Sequence, residues 1–123
     1  MATQSFKDLI VWQKSKKLYL IIHKDFKDLK DYHFRDQILR AALSILNNIA
    51  EGYARRSDKA FKNFMFIAKG SVTEVESMLL MAVELEYTTQ DRQVELLSLT
   101  EEVSKLLSGF INKLSAMDSQ LGT

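Results

Sequence analysis

The chain lacks cysteine and proline entirely, and it has only four glycines and two histidines among 123 residues. Without cysteine there is neither a disulfide framework nor a thiolate metal site, and a reducing cytoplasm is the simplest compartment. Without proline, and with so little glycine, the commonest helix breakers are gone and long helices are favoured. Long apolar runs are missing too. The longest, Met78 to Val83, falls far short of the ~20 residues of a membrane-spanning helix, so no membrane partner is expected. The opening MATQSFKDLIVWQ has no basic region followed by an apolar core, which argues against a secretory signal. No stretch has the period-two alternation of a half-buried strand.

What is present is helical periodicity from end to end. At this length one domain over residues 1–123 is expected, with a core that needs no covalent staple. Val11, Ser15, Leu18, Ile22, Phe26 and Leu29 form one stripe of a first helix over about residues 6–29, beside an aromatic stripe of Trp12, Tyr19 and Phe26. Ser5 and Asp8 have capping-box spacing at its start. The central stretch QILRAALSILNNIAEG carries Ile38, Ala41, Ala42, Ile45, Ile49 and Tyr53 on one face of a second helix, about 33–54, with Asp31 as a candidate N-cap. Ser57 and Asp58 start a third, about 58–86, whose seam steps through Phe61, Phe64, Ala68, Ser71, Val75, Met78, Ala82 and Leu85. A fourth, about 89–117, has Thr88 and Asp91 at its start and a seam of Leu96, Thr100, Val103, Leu107, Phe110, Leu114, Met117 and Leu121. Four helices with short connections predict an all-α, up-down-up-down four-helix bundle. The third helix also carries Met65, Phe66, Ile67, Val72, Leu79, Leu80, Met81 and Val83 outside its seam. A helix apolar on so many sides is central in its own bundle or buried against another copy, so a homo-oligomer is expected.

Candidate chemistry is sparse. No glycine pattern matches a phosphate-binding loop or a dinucleotide fingerprint. His23 and His33 sit on different elements without acidic partners at ligand spacing, and the Glu-x-x-His pairs of di-metal bundles are missing. No metal, cofactor or enzymatic activity is expected. Gly70, inside the third helix, suggests close approach of a bulky neighbour such as Trp12 or Tyr53.

Charge is more informative in its distribution than in its sum of +1. Residues 1–56 hold 11 Lys/Arg against 6 Asp/Glu, whereas residues 57–123 hold 6 against 10. Opposite halves can form a basic binding surface, or attract each other within the fold or across a subunit contact. The seven lysines between Lys7 and Lys30 read as a solvated helix face. Arg55, Arg56, Lys59 and Lys62, with Tyr53 beside them and Arg40 further back, are the candidates for phosphate contact. The polar strip of the second helix is either a solvent face or a network in which Ser44, Asn48 and Glu51 meet Ser71 and Glu74 and fix helix register.

Three segments resemble one known family. Val11 to Lys14, the Ser-Ile-x-x-Asn-Ile-Ala-Glu-Gly core at Ser44 to Gly52, and Ile67 to Glu74 are similar in type and order to motifs of the four helix bundle protein family. It is also called the 23S rRNA intervening-sequence protein family, and the resemblance covers about residues 5–115. Leu46 and Leu39 stand where many members have proline and a second arginine, which implies a straighter second helix. The resemblance implies an up-and-down bundle that assembles as a ring-shaped homopentamer. It also implies RNA or DNA as partner, since relatives serve retroelements by binding nucleic acid and a reverse transcriptase. The expected function is thus that of an RNA- or DNA-associated adaptor, with a protein-binding scaffold as the alternative.

Overall fold

A computed structural model of the chain describes residues 5–120. After a 3-10 turn at Phe6–Asp8, four helices follow: α1 (Ile10–Phe26), α2 (Tyr32–Ala54), α3 (Asp58–Glu84) and α4 (Gln90–Gln120). Among the described residues there is no strand. Each helix packs against its neighbours in sequence, α1 also meets α4, and among the described residues the diagonal pairs make no close backbone approach. That closes a four-helix bundle. At about 1.5 Å per residue, α3 is roughly 40 Å and α4 roughly 46 Å long, so the molecule is a rod.

Helix starts follow local chemistry. Asp31 accepts the Phe34 N–H at 3.2 Å, and Ser57 accepts the Ala60 N–H at 3.0 Å, each satisfying a first-turn donor without a helical partner. Two starts differ from expectation. The first helix is broken at Leu9, whose φ of −71° and ψ of 126° are extended; Ser5 accordingly caps Lys7 of the 3-10 turn, not α1. At α4 the cap is Thr89, which accepts from Arg92 at 3.2 Å, in place of Thr88. α3 stops in a Schellman motif: Tyr87 N–H reaches the Ala82 carbonyl at 2.8 Å and Glu86 N–H reaches Val83 at 3.0 Å. The price is a left-handed Glu86, φ 62°.

The core contains Val11, Leu18, Ile22, Phe26, Ile38, Ile45, Ile49, Leu96, Val103 and Leu107, as the stripes predict. The α3 seam is rotated from expectation. Met65, Val72 and Leu79 are fully buried with Ala68, Val75 and Ala82, whereas Phe61, Phe64, Ser71 and Met78 are half-buried and Leu85 is exposed. The reason is that α3 contacts two helices. Its Phe64 and Ser71 flank meets α2, its Leu79 backbone accepts from Gln93 of α4, and the centre of the buried arc lies between them. On α4, Ile111 takes the core place expected for Phe110, and Met117 is exposed; Leu121 lies outside the described residues.

Glycine reverses the other expectation. Gly70 is exposed, with nothing within 4 Å of where a Cβ would stand. The close approach is at Gly52, where an added Cβ would lie 2.7 Å from Phe64 Cβ, 3.1 Å from Phe61 and 3.2 Å from Met65. The last turn of α2 therefore presses directly on the first turns of α3.

Candidate nucleic-acid interface

The link between α2 and α3 fixes where the candidate cations stand. Arg55 leaves the helix with an extended backbone, φ −74° and ψ 150°, and Ser57 restarts helix within two residues. Arg55, Arg56 and Lys59 consequently emerge together, all exposed, at one end of the bundle. Arg55 is partly committed: its guanidinium is 3.0 Å from Glu51 Oε1 and lies over the Phe64 ring at 5.0 Å. Arg56 and Lys59 are in no ion pair among the described residues. Lys62, one turn further along α3, is half-buried and has a partner of its own. Arg55 and Arg56 suit the C-terminal end of α2, whereas Lys59 in the first turn of α3 opposes that helix's dipole, and together the three concentrate positive potential beside a helix N-terminus, where an anion is favoured. Arg40 does not join them. It lies fifteen residues before Arg55 on the same helix, roughly 22 Å away along the axis.

The polar strip resolves into three separate contacts. Ser44 Oγ and Ser71 Oγ are 2.9 Å apart across the α2–α3 seam, and Asn48 Nδ2 donates to the Ser44 carbonyl at 2.8 Å and to its Oγ at 2.9 Å. This half-buried trio is worth about 1 kcal/mol per bond and pins the register of α2 on α3. Glu74 instead accepts from Gln37, and Glu51 pairs with Arg55, so the two carboxylates do not join the serines or each other. Arg40 is likewise outside the trio.

At the opposite end Asp31, Asp25 and Arg92 are paired. Tyr87 OH donates to Asp31 Oδ2 at 2.6 Å, and Tyr87 also stands edge-on to Phe34 at 5.1 Å. That hydrogen bond, with the Phe34 N–H, holds the Asp31 carboxyl below the usual carboxylate range, and it raises the Tyr87 phenol above its own. Arg92 donates to both Asp25 oxygens, at 2.6 and 3.1 Å, and to Glu95 at 3.1 Å; the Asp25 hydrogen bonds raise its already high pKa further.

With this arrangement in view, the comparisons with known proteins are specific. The chain matches the 23S rRNA-intervening sequence protein family over residues 7–109. It belongs to that family. A solved structure of a Bacteroides thetaiotaomicron protein of unknown function, from the S23 ribosomal protein family, is similar at a TM-score of 0.79 and 29% identity, covering 83% of this chain and 98% of that one. No protein of curated function matches. This member of the 23S rRNA-intervening sequence protein family thus shares its bundle with that Bacteroides protein. Among the described residues no helix is long and apolar enough to cross a membrane.

Reading the sequence as stripes missed one feature of α1. Four of its lysine-rich segment's cations, Lys7, Lys16, Lys17 and Lys24, line a single open groove with Trp12. The signal available in sequence was the four-residue step from Trp12 to Lys16, which places an ammonium over an indole on a helix.

Proposed function

We propose that the chain is a non-enzymatic, self-assembling helical bundle that acts as an RNA- or DNA-associated adaptor. The observation that carries this reading is the exposed group Arg55, Arg56 and Lys59 at the α2–α3 link, of which Arg56 and Lys59 are in no ion pair among the described residues. Family membership points the same way. Self-assembly rests on the outer side of α3, where Phe66, Ile67, Leu80 and Met81 remain 53%, 52%, 55% and 51% exposed. Covering each would contribute about 1 kcal/mol, half the value of full burial. A ring of five copies, a reverse transcriptase as protein partner and a cytoplasmic setting are what the family resemblance adds.

The test is a titration with structured RNA and with DNA across a salt series. Binding weakens steeply with salt, and Arg55→Ala with Arg56→Ala and Lys59→Ala lowers the slope of log affinity against log salt by about 0.7 to 0.9 per lost contact. No binding at low salt overturns the nucleic-acid role. The second reading, a protein-binding scaffold without nucleic acid, is favoured by the same apolar side of α3. Light scattering over a concentration series addresses assembly, and a monomer throughout contradicts it.

A further inference from the structure

The outer flank of α1 carries an open groove of about 780 Å³, lined by Lys7, Trp12, Lys16, Lys17, Leu20 and Lys24 together with residues from its margins. Its chemistry differs from that of the α2–α3 link. Lysines stand along the groove while Trp12 and Leu20 supply apolar surface, and Leu20 is 54% exposed. From Trp12 to Lys24 the groove follows three helical turns, about 18 Å at 1.5 Å per residue.

The four lysines are electrostatically uncommitted. Lys7, Lys16, Lys17 and Lys24 are in no ion pair among the described residues, and the only partner of Lys16 is the Trp12 ring, with Nζ 5.7 Å from its centroid. Three carboxylates on the side facing α4 are already taken. Asp25 and Glu95 bind Arg92, and Glu102 binds Lys14 at 3.1 Å. Arg92 lines the groove as well, but its guanidinium is held by those carboxylates. The groove therefore keeps a net positive potential although the whole chain is close to neutral.

We infer that this groove on α1 binds single-stranded nucleic acid, with Lys7, Lys16, Lys17 and Lys24 on successive phosphates and a base against Trp12. A line of free ammonium groups beside an aromatic face is how strands are held without sequence readout, because every base has a π-face to stack. The Trp12 edge rests on Phe6 at 5.1 Å, and its ring already accepts the Lys16 ammonium, a weak contact that a base can displace. A duplex is the poorer fit, since its bases are stacked inside. The inference rests on the nucleic-acid reading above but places contact on α1 and the turn before it, on residues other than those of the α2–α3 link.

Trp12 is the chain's one tryptophan, so intrinsic fluorescence reports on this groove. The experiment titrates the full chain with a short oligouridylate and, in parallel, an oligothymidylate of equal length. Trp12 emission is quenched on binding, and four single-strand phosphate contacts weaken affinity about 50-fold between 50 and 200 mM salt. Lys16→Ala with Lys17→Ala reduces that dependence to about 7-fold. Equal affinity for both strands assigns recognition to phosphate and base stacking, and a preference for the ribose strand adds the 2′-hydroxyl; both support the groove. A labelled strand that binds by anisotropy while Trp12 emission stays constant overturns this inference and leaves the link reading standing. No strand binding by either probe overturns the groove inference, and the link reading then stands or falls on the structured RNA and DNA titration. An emission change that follows protein concentration without any strand means that a second copy covers the groove, and it also overturns the proposal. Trp12→Phe, measured with the labelled strand and checked by circular dichroism, retains most of the affinity, while Trp12→Leu weakens it about tenfold.

Discussion

The two ends of the bundle use charge in opposite ways. Around the α3–α4 turn, Asp31 is tied to Tyr87 and Asp25 to Arg92, so each buried or half-buried carboxylate has a donor within 2.6 Å. Around the α2–α3 link, Arg56 and Lys59 have no acidic partner among the described residues, and the packing is done by Gly52 against Phe61, Phe64 and Met65. One end is held by polar pairs and the other by a close backbone contact that leaves its cations over. The difference teaches where to look for function: charge that the fold has not used is available to a ligand.

The largest way to break the comparison is at the tightly packed end. Gly52→Ala lowers stability by about 1–3 kcal/mol in urea unfolding, because the new methyl group meets Phe64 Cβ, which is fixed to backbone. The same change at Gly70 has open space and raises stability by up to about 1 kcal/mol. A loss at Gly70 would mean that a neighbouring subunit packs there. At the paired end, Arg92→Ala costs about 1 kcal/mol, the upper range for a partly exposed pair, and less at high salt. Glu86→Gly sharpens the contrast in the other direction, stabilising by somewhat less than about 1 kcal/mol as the left-handed position loses its Cβ clash and the unfolded chain gains freedom.

The pH dependence comes from the paired end as well. Asp31 is depressed by Tyr87 and the Phe34 N–H, so its contribution is present above its unfolded value, about 4, and is lost as pH falls through the lower folded value. Tyr87 is raised by the same bond, so its neutral form is favoured. That contribution is present below about pH 10 and is lost as pH rises through the folded value. Tyr87→Phe removes the alkaline loss and reduces the acid one, read from thermal unfolding across pH. A profile unchanged by Tyr87→Phe would show that this hydrogen bond does not form in solution.

How much was legible beforehand depended on whether a residue's role is local. The α1 and α2 stripes and the caps Asp31 and Ser57 are set by spacing along one helix, and the structure places them as read except at the stripe ends, where Leu29 lies beyond α1 and Tyr53 is half-buried. The α3 seam was misread because a helix that touches two others buries an arc whose centre no single stripe marks. The five-residue polar network came apart because distance along two antiparallel helices, not residue type, decides whether Glu51 or Glu74 can reach the serines. Gly70 drew attention by standing mid-helix, where glycine is costly, while the glycine with a steric reason was at a helix end where it looks ordinary.

Sequence by itself determined that this chain is helical, where α2 and α3 start, which residues of α1 and α2 turn inward, and to which family it belongs. These follow from hydrogen-bond geometry and side-chain periodicity within short segments. Only the tertiary structure decided which face of α3 is buried, that Gly52 is the contact point, and that Lys7 and three lysines of α1 share one groove with Trp12. Those are properties of how helices meet, and the angle at which two rods pack is fixed by the joint shape of both surfaces.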